Sequence, residues 1–271
     1  MYKMSYSLII KSTNRAASSA SVNDATYNFD WSAFEEGKYK VSWNIYKLPV
    51  AVVTPFQTLI ATKAMWGQYS AASWVSGTNT LTDLTGNGRN ATTANLTSGT
   101  AAGNGATASI AYLAGTTTGT ILWPAGSVPA VYTICSITRY ANAAANQQRL
   151  LCSSTNYWAH GHYAGQRGIT YNGAAWRTPL VNTGVVTDWL NFCATSSAAN
   201  PTNILLDTNP VGLAIAGNGA ASAACINLSA AGAPSDFQFS QLLIWNQELT
   251  AAELAIVAAA LNTYLTTGVL Q

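Results

Sequence analysis

Apolar and polar residues alternate with a period of two along much of this chain. In residues 38–46, Tyr39, Val41, Trp43 and Ile45 alternate with Lys40, Ser42, Asn44 and Tyr46, which predicts a half-buried strand with one apolar face. Residues 6–11 and 26–31 read as two more strands, separated by a polar connector too hydrophilic to pack. Three strands bury little surface on their own, so this segment calls for a partner surface. Further runs of strand type follow at 109–114, 119–123, 132–140, 149–153, 157–162, 168–171, 189–195, 203–207, 224–228 and 237–245. Many short strands divided by turn signals favour an antiparallel β-sandwich over a βαβ layout. Pro49 and Pro55 bracket what reads as a linker, and the Gly/Ala/Thr stretch 101–108 reads as a loop.

One segment changes period. Thr250 and Glu253 form a capping-box pair, Leu254, Val257, Ala258 and Leu261 fall on one helical face, and Gly268 is placed to end the helix. The expected role of this helix is to seal an edge of the sandwich. At the other end of the same domain, TDLTGNGRNATT (82–93) is a polar turn with Gly86 and Gly88, in which Asp83 is expected to hold the turn through backbone hydrogen bonds.

These two segments carry a resemblance. The pattern W…L-x-D-x-T-G-N-G-x-x-A-T, followed much later by I-W-x-x-x-L-T-x-x-E, resembles the laminin-G-like jelly roll of the concanavalin A-like lectin/glucanase superfamily. YTICSITRY (132–140), His160–His162 and RGITYNGAAWRT (167–178) look like a lectin-like module of structural proteins of large DNA viruses of algae and protists. The N-terminal S-Y-x-L-I-I-x-S-x-N-R and G-x-Y-x-V-S are similar to the first segment of viral capsid-associated proteins. The resemblance implies an all-β fold: an antiparallel β-sandwich (jelly roll) with a short C-terminal helix, preceded by a small strand-rich segment. It divides the chain into an assembly or anchoring segment, 1–54, and a jelly-roll domain, 55–271. It also implies a non-enzymatic virion protein, assembled in the host cell, that contacts other capsid or virion proteins through residues 1–54, forms a homo-oligomer and binds host glycans. A cellular carbohydrate-binding module and a divergent glycan-active enzyme are the alternatives.

Composition narrows the choice. Charged residues are 8% against 49% hydrophobic, so solubility rests on Ser, Thr, Asn and Gly. A net charge of +2 without a basic cluster gives no reason to expect nucleic acid. Six Lys/Arg and four acids lie in residues 1–50, and the remaining 221 residues hold twelve charges, a shift that marks a domain boundary. The chain shows no signal peptide, and its apolar last twenty residues are interrupted by Glu253, Asn262 and Thr263, against a membrane span. Cys135, Cys152, Cys193 and Cys225 lack C-x-x-C spacing and read as buried free thiols in core strands, with disulfides left open.

Candidate chemistry is sparse. Glucan cleavage needs paired carboxylates, and beyond residue 50 the acids are scattered singly, so no catalytic residue is assigned. His160 and His162 share a strand face, but two nitrogens do not make a metal site. Asp83 with Asn87 is too little for calcium, and no cofactor is expected. Sugars are held by aromatic faces and planar polar groups. Trp158, His160, His162, Tyr163, Arg167, Tyr171 and Trp176 therefore form the candidate carbohydrate-binding set. Core packing is the competing reading for each aromatic, with Arg139, Arg149 and Arg167 tying strands together.

Overall fold

The computed structural model describes residues 19–22, 25–29, 45–47, 53–142, 146–172, 175–181, 184–198, 201–213, 215, 222–229 and 232–271. The chain divides into two compact units, Met1–Val53 and Thr54–Gln271. In the first, β1 (Ser19–Val22), β2 (Ala25–Phe29) and β3 (Ile45–Lys47) form an antiparallel three-stranded sheet. The predicted strand at 6–11 lies outside the described residues.

The second unit is a sandwich of two antiparallel sheets. The outer sheet runs β14 (Gln166–Asn172), β13 (Trp158–Tyr163), β12 (Leu151–Ser153), β18 (Ala224–Ile226), β10 (Thr120–Leu122), β7 (Ala91–Ala94), β6 (Thr80–Leu81), β5 (Trp74–Val75). The central sheet runs β17 (Asn209–Pro210), β16 (Ile204–Leu206), β15 (Leu190–Thr195), β11 (Thr133–Tyr140), β19 (Phe237–Trp245), β9 (Ala106–Gly115), β8 (Thr97–Gly103). The short β4 (Gly67–Ser70) also pairs with β19.

Alternation along the central strands explains the layering. On β11, Ile134 and Tyr140 join Trp123, Trp158, Leu151 and Phe239 between the sheets, whereas Cys135 and Ile137 point to the opposite face. That second face is covered by α1 (Pro55–Thr62) and α2 (Ala251–Thr267), through Phe56, Leu59, Leu254, Val257 and Leu261. The central sheet is therefore buried on both sides. Its strands read as nearly unbroken apolar runs for that reason.

The C-terminal helix forms as its sequence predicts. Thr250 Oγ1 accepts from the Glu253 amide at 3.3 Å, the Glu253 carboxylate accepts from the Thr250 amide at 2.8 Å, and Gly268 ends the helix at φ 76°. Its position differs from the expectation. It lies across a sheet face, where Asn191 on β15 donates to the Ala258 carbonyl at 2.7 Å, because the outward residues of β11, β15 and β19 are apolar and need a lid.

Two stretches differ from their sequence reading. The linker after Pro49 gives way to α1, whose N-cap Thr54 and Gln57 form a second capping box with Pro55 in the first turn. The predicted loop at 101–108 is the β8–β9 hairpin. Its strands lack branched apolar residues at the tip, and its positive-φ turn is made by Asn104 (φ 51°) and Gly105 (φ 86°).

The cysteines are not free. Cys135 faces Cys193 across the β11–β15 ladder and Cys152 faces Cys225 across β12–β18, and each pair is disulfide-bonded with Cα atoms 4.0 and 5.0 Å apart. Sequence spacing concealed this because each bridge joins neighbouring strands that are 58 and 73 residues apart in the chain. Non-reducing peptide mapping should recover both linked pairs. Cys152→Ser with Cys225→Ser should lower unfolding stability by about 2–4 kcal/mol, since the unfolded chain regains the freedom of a long loop; recovery of four alkylatable thiols from the native protein would contradict the assignment.

Candidate carbohydrate-binding site

The seven candidate residues lie on β13, β14 and the segment that follows, and the pleat divides them into two groups. Trp158, His160 and His162 point inward: their exposures are 2%, 0% and 0%. Tyr163, Tyr171 and Trp176 are half-buried. Tyr171 pairs with Ala159, the outward neighbour of Trp158 and His160, so its ring stands on the outer face. The rings of Tyr163 and Tyr171 each contact Trp176, with centroids 5.2 and 4.9 Å apart. Trp176 is held there by a bridge to Tyr171. Arg149 lies over the Tyr163 ring, 5.5 Å from its centroid, and donates to Ser229 Oγ at 2.9 Å.

The inward group makes core contacts. Trp158 meets Tyr132 edge-on at 6.3 Å and stacks on His160 at 5.5 Å, and His160 meets Phe192 of the central sheet at 4.8 Å. His160 Nε2 lies 3.3 Å from the Phe192 carbonyl oxygen, and His162 Nδ1 lies 3.4 Å from Thr138 Oγ1, with the Tyr140 ring at 4.8 Å. Alternation along β13 keeps His162 on the same inward face as His160, and the register shift beside it places its extra residue, Gly168 at φ 80°, on β14. Trp158, His160 and His162 therefore cannot reach a ligand on the surface. Among the described residues no group of three or more His, Cys, Asp or Glu gathers to hold a metal ion.

The guanidinium groups are structural. Arg167, 6% exposed, donates to the Trp189 carbonyl at 3.2 Å and pairs with Asp207 at 3.3 Å, which takes it out of the candidate ligand set. Arg177 is fully buried and satisfied by Tyr132 Oη and the carbonyls of Thr195, Ser197 and Ile215, at 2.6–3.1 Å. Sequence reasoning gave Arg177 no such role, and a lone Arg between Trp and Thr offers no signal for it. Arg139 donates to Gln238 Oε1 at 2.8 Å and to the Thr187 carbonyl at 2.7 Å, as strand-tying predicts.

The carboxylates are also employed. Asp83 accepts from the amides of Gln68, Thr85 and Arg89 at 3.0–3.3 Å and so fixes the glycine turn. Asp236 accepts from the Thr117 amide and the side chains of Asn142 and Asn146. Of the twelve charged residues beyond position 50, Glu248 alone is openly exposed.

No family model and no curated protein matches this chain. Solved structures do. Domain 4 of AbnA, a GH43 extracellular arabinanase from Geobacillus stearothermophilus in complex with arabinotriose, aligns at TM-score 0.51 and 12% identity over 70% of this chain and 96% of that one. A mutant of Trypanosoma rangeli sialidase displaying trans-sialidase activity aligns at TM-score 0.51 and 13% identity over 93% of this chain, which spans 45% of the sialidase. At these identities the likeness shows the fold alone, a β-sandwich of the jelly-roll type.

Burial drives both imidazoles toward the neutral form. For His160, desolvation dominates, offset in part by the Phe192 carbonyl and reinforced by Arg177, and its pKa falls from 6.5 to about 3. His162 falls well below 6.5 through desolvation, then the nearby charges of Arg167 and His160. A depressed histidine pKa leaves stability intact above the unfolded value and erodes it as pH falls, because the unfolded chain binds protons that the folded chain refuses. Urea midpoints should therefore drop between pH 7 and pH 4, with a slope approaching 1.4 kcal/mol per pH unit for each histidine. A flat profile would place the rings in solvent.

Proposed function

We propose that this chain is a non-enzymatic structural protein of a virion whose sandwich binds glycans through Tyr163, Tyr171 and Trp176. The carrying observation is the outward aromatic cluster in which Trp176 touches both Tyr163 and Tyr171, with Arg149 over the Tyr163 ring. Such rings offer flat apolar faces to the C–H patches of a pyranose, while nearby hydroxyl and amide groups suit its oxygens. A domain of the same architecture has arabinotriose bound, and this supports an oligosaccharide as the ligand class. Trp158, His160, His162 and Arg167 then serve as the scaffold beneath the platform.

Three features support a non-catalytic, particle-bound role. Asp83, Asp236 and Glu253 are used in turns and a cap, and Asp207 pairs with Arg167, which is unlike the opposed carboxylates that hydrolysis requires. Two disulfides fit a protein that works in an oxidising exterior. The capsid-like motifs of the N-terminal segment fit attachment through residues 1–54 to other virion proteins, with the chain as a homo-oligomer.

A glycan array probed with the full chain tests the platform. Trp176→Ala and Tyr163→Ala should each reduce binding at least tenfold while circular dichroism stays unchanged. Trp158→Ala should instead cost about 3–5 kcal/mol of stability, as removal of a large core ring does. Glycan binding that survives Trp176→Ala, Tyr163→Ala and Tyr171→Ala together would overturn the assignment.

A further inference from the structure

The sandwich has four terminal strands, and three of them are closed to further pairing. On β14, the Asn172 amide donates to the Ala175 carbonyl, the Thr170 amide to Thr178 Oγ1, and the Thr170 carbonyl accepts from the Arg177 amide, so the segment 175–178 covers that edge. The edge strand β17 is two residues long and contains Pro210, which has no amide proton to offer. The edge strand β5 is also two residues long and is flanked by 3₁₀ turns at Ala71–Ser73 and Ser76–Thr78. Short strands, proline and covering loops are the devices by which sheets avoid joining one another.

The fourth edge carries none of them. β8 reads Thr-Ser-Gly-Thr-Ala-Ala-Gly, with no proline and no charge, and six of its seven residues are exposed. Among the described residues its backbone pairs with β9 alone, in unbroken register from Thr97 to Ala101 before a shift near the turn. The mid-strand glycine is covered: a Cβ on Gly99 would lie 2.6 Å from the Tyr112 ring, so that ring lies over the backbone where a side chain would stand. The other side of β8 therefore presents a regular row of backbone donors and acceptors.

We propose that this edge pairs with the same edge of a second copy, antiparallel across a two-fold axis through Gly99, making one continuous central sheet from two molecules. In that register Thr97 meets Ala101 and Ser98 meets Thr100 of the second copy. The segment is self-complementary: it has no charge to repel its twin, and opposed Ser and Thr hydroxyls hydrogen-bond across strands. A foreign strand would gain the same backbone bonds without this matched side-chain row. The inference is independent of glycan binding, since β8 belongs to the central sheet and the aromatic platform to the outer one.

Sedimentation equilibrium on the full chain, from about 1 µM to about 500 µM, reads the association. A dimer is expected, with amide hydrogen exchange at 97–101 slowing as concentration rises. Ser98→Lys with Thr100→Lys places four like charges across the two-fold and should weaken dimerisation at least tenfold. Ala252→Lys with Ala255→Lys, on the exposed side of α2, adds the same charge elsewhere and should leave it unchanged. Circular dichroism confirms that all variants are folded. A chain that stays monomeric, a dimer indifferent to the β8 lysines, or protection at 97–101 that is already complete in the monomer would each overturn the proposal.

Discussion

A sheet with two apolar faces needs two covers, and most of this architecture follows from that. The runs at Tyr132–Ile137, Leu190–Ala194 and Phe239–Trp245 place large side chains on both sides of β11, β15 and β19. One face receives the outer sheet, and the other receives α1 and α2. Fully burying each Leu, Ile or Phe contributes about 1.5–3 kcal/mol, so neither cover is dispensable to the central strands. The covers also set polar requirements. Asn191, buried under α2, is held by Ala258 and Asn262, and Ser240 by the Ala111 carbonyl and Tyr264.

The same demand shapes the candidate site. A strand of the outer sheet must send every second residue into the space facing β11 and β15. On β13 those residues are Trp158, His160 and His162, and they fill that space as aromatic bulk with few hydrogen bonds. Tyr163 and Tyr171 are left on the reverse face, where Trp176 joins them. One strand thus supplies the packing that holds the sandwich together and a ring that contacts solvent.

Much of the fold was legible in the chain. From residue 109 onward the strands read from alternation fall within a few residues of those observed, and the Thr250/Glu253 box located α2, but β4 to β7 and β17, two to four residues each, are too short to show a period. The helix α1 was signalled by the same box, Thr54 with Gln57, but Pro55 drew the reading toward a linker although proline is favoured in a first helical turn. The β8–β9 hairpin was missed because Gly, Ala, Ser and Thr carry little hydrophobic period. The two disulfides depend on register between strands distant in sequence, which no local spacing encodes. For the candidate residues, alternation had already placed His160 and His162 together. Extending it by two positions to Trp158, and across the ladder to Tyr171, separates the buried rings from the outward ones.

The second unit uses nearly all its charge internally: Arg177 on carbonyl oxygens, Arg167 on Asp207, Asp83 within a turn. What faces water is hydroxyl, amide and methyl. Such a surface casts almost no long-range field, so its encounters proceed by unguided diffusion at about 10⁵–10⁶ M⁻¹s⁻¹ and change little with ionic strength. Its contacts with any partner must then be selected by shape and short-range bonding after collision, with dissociation rate rather than capture rate setting how tightly it holds.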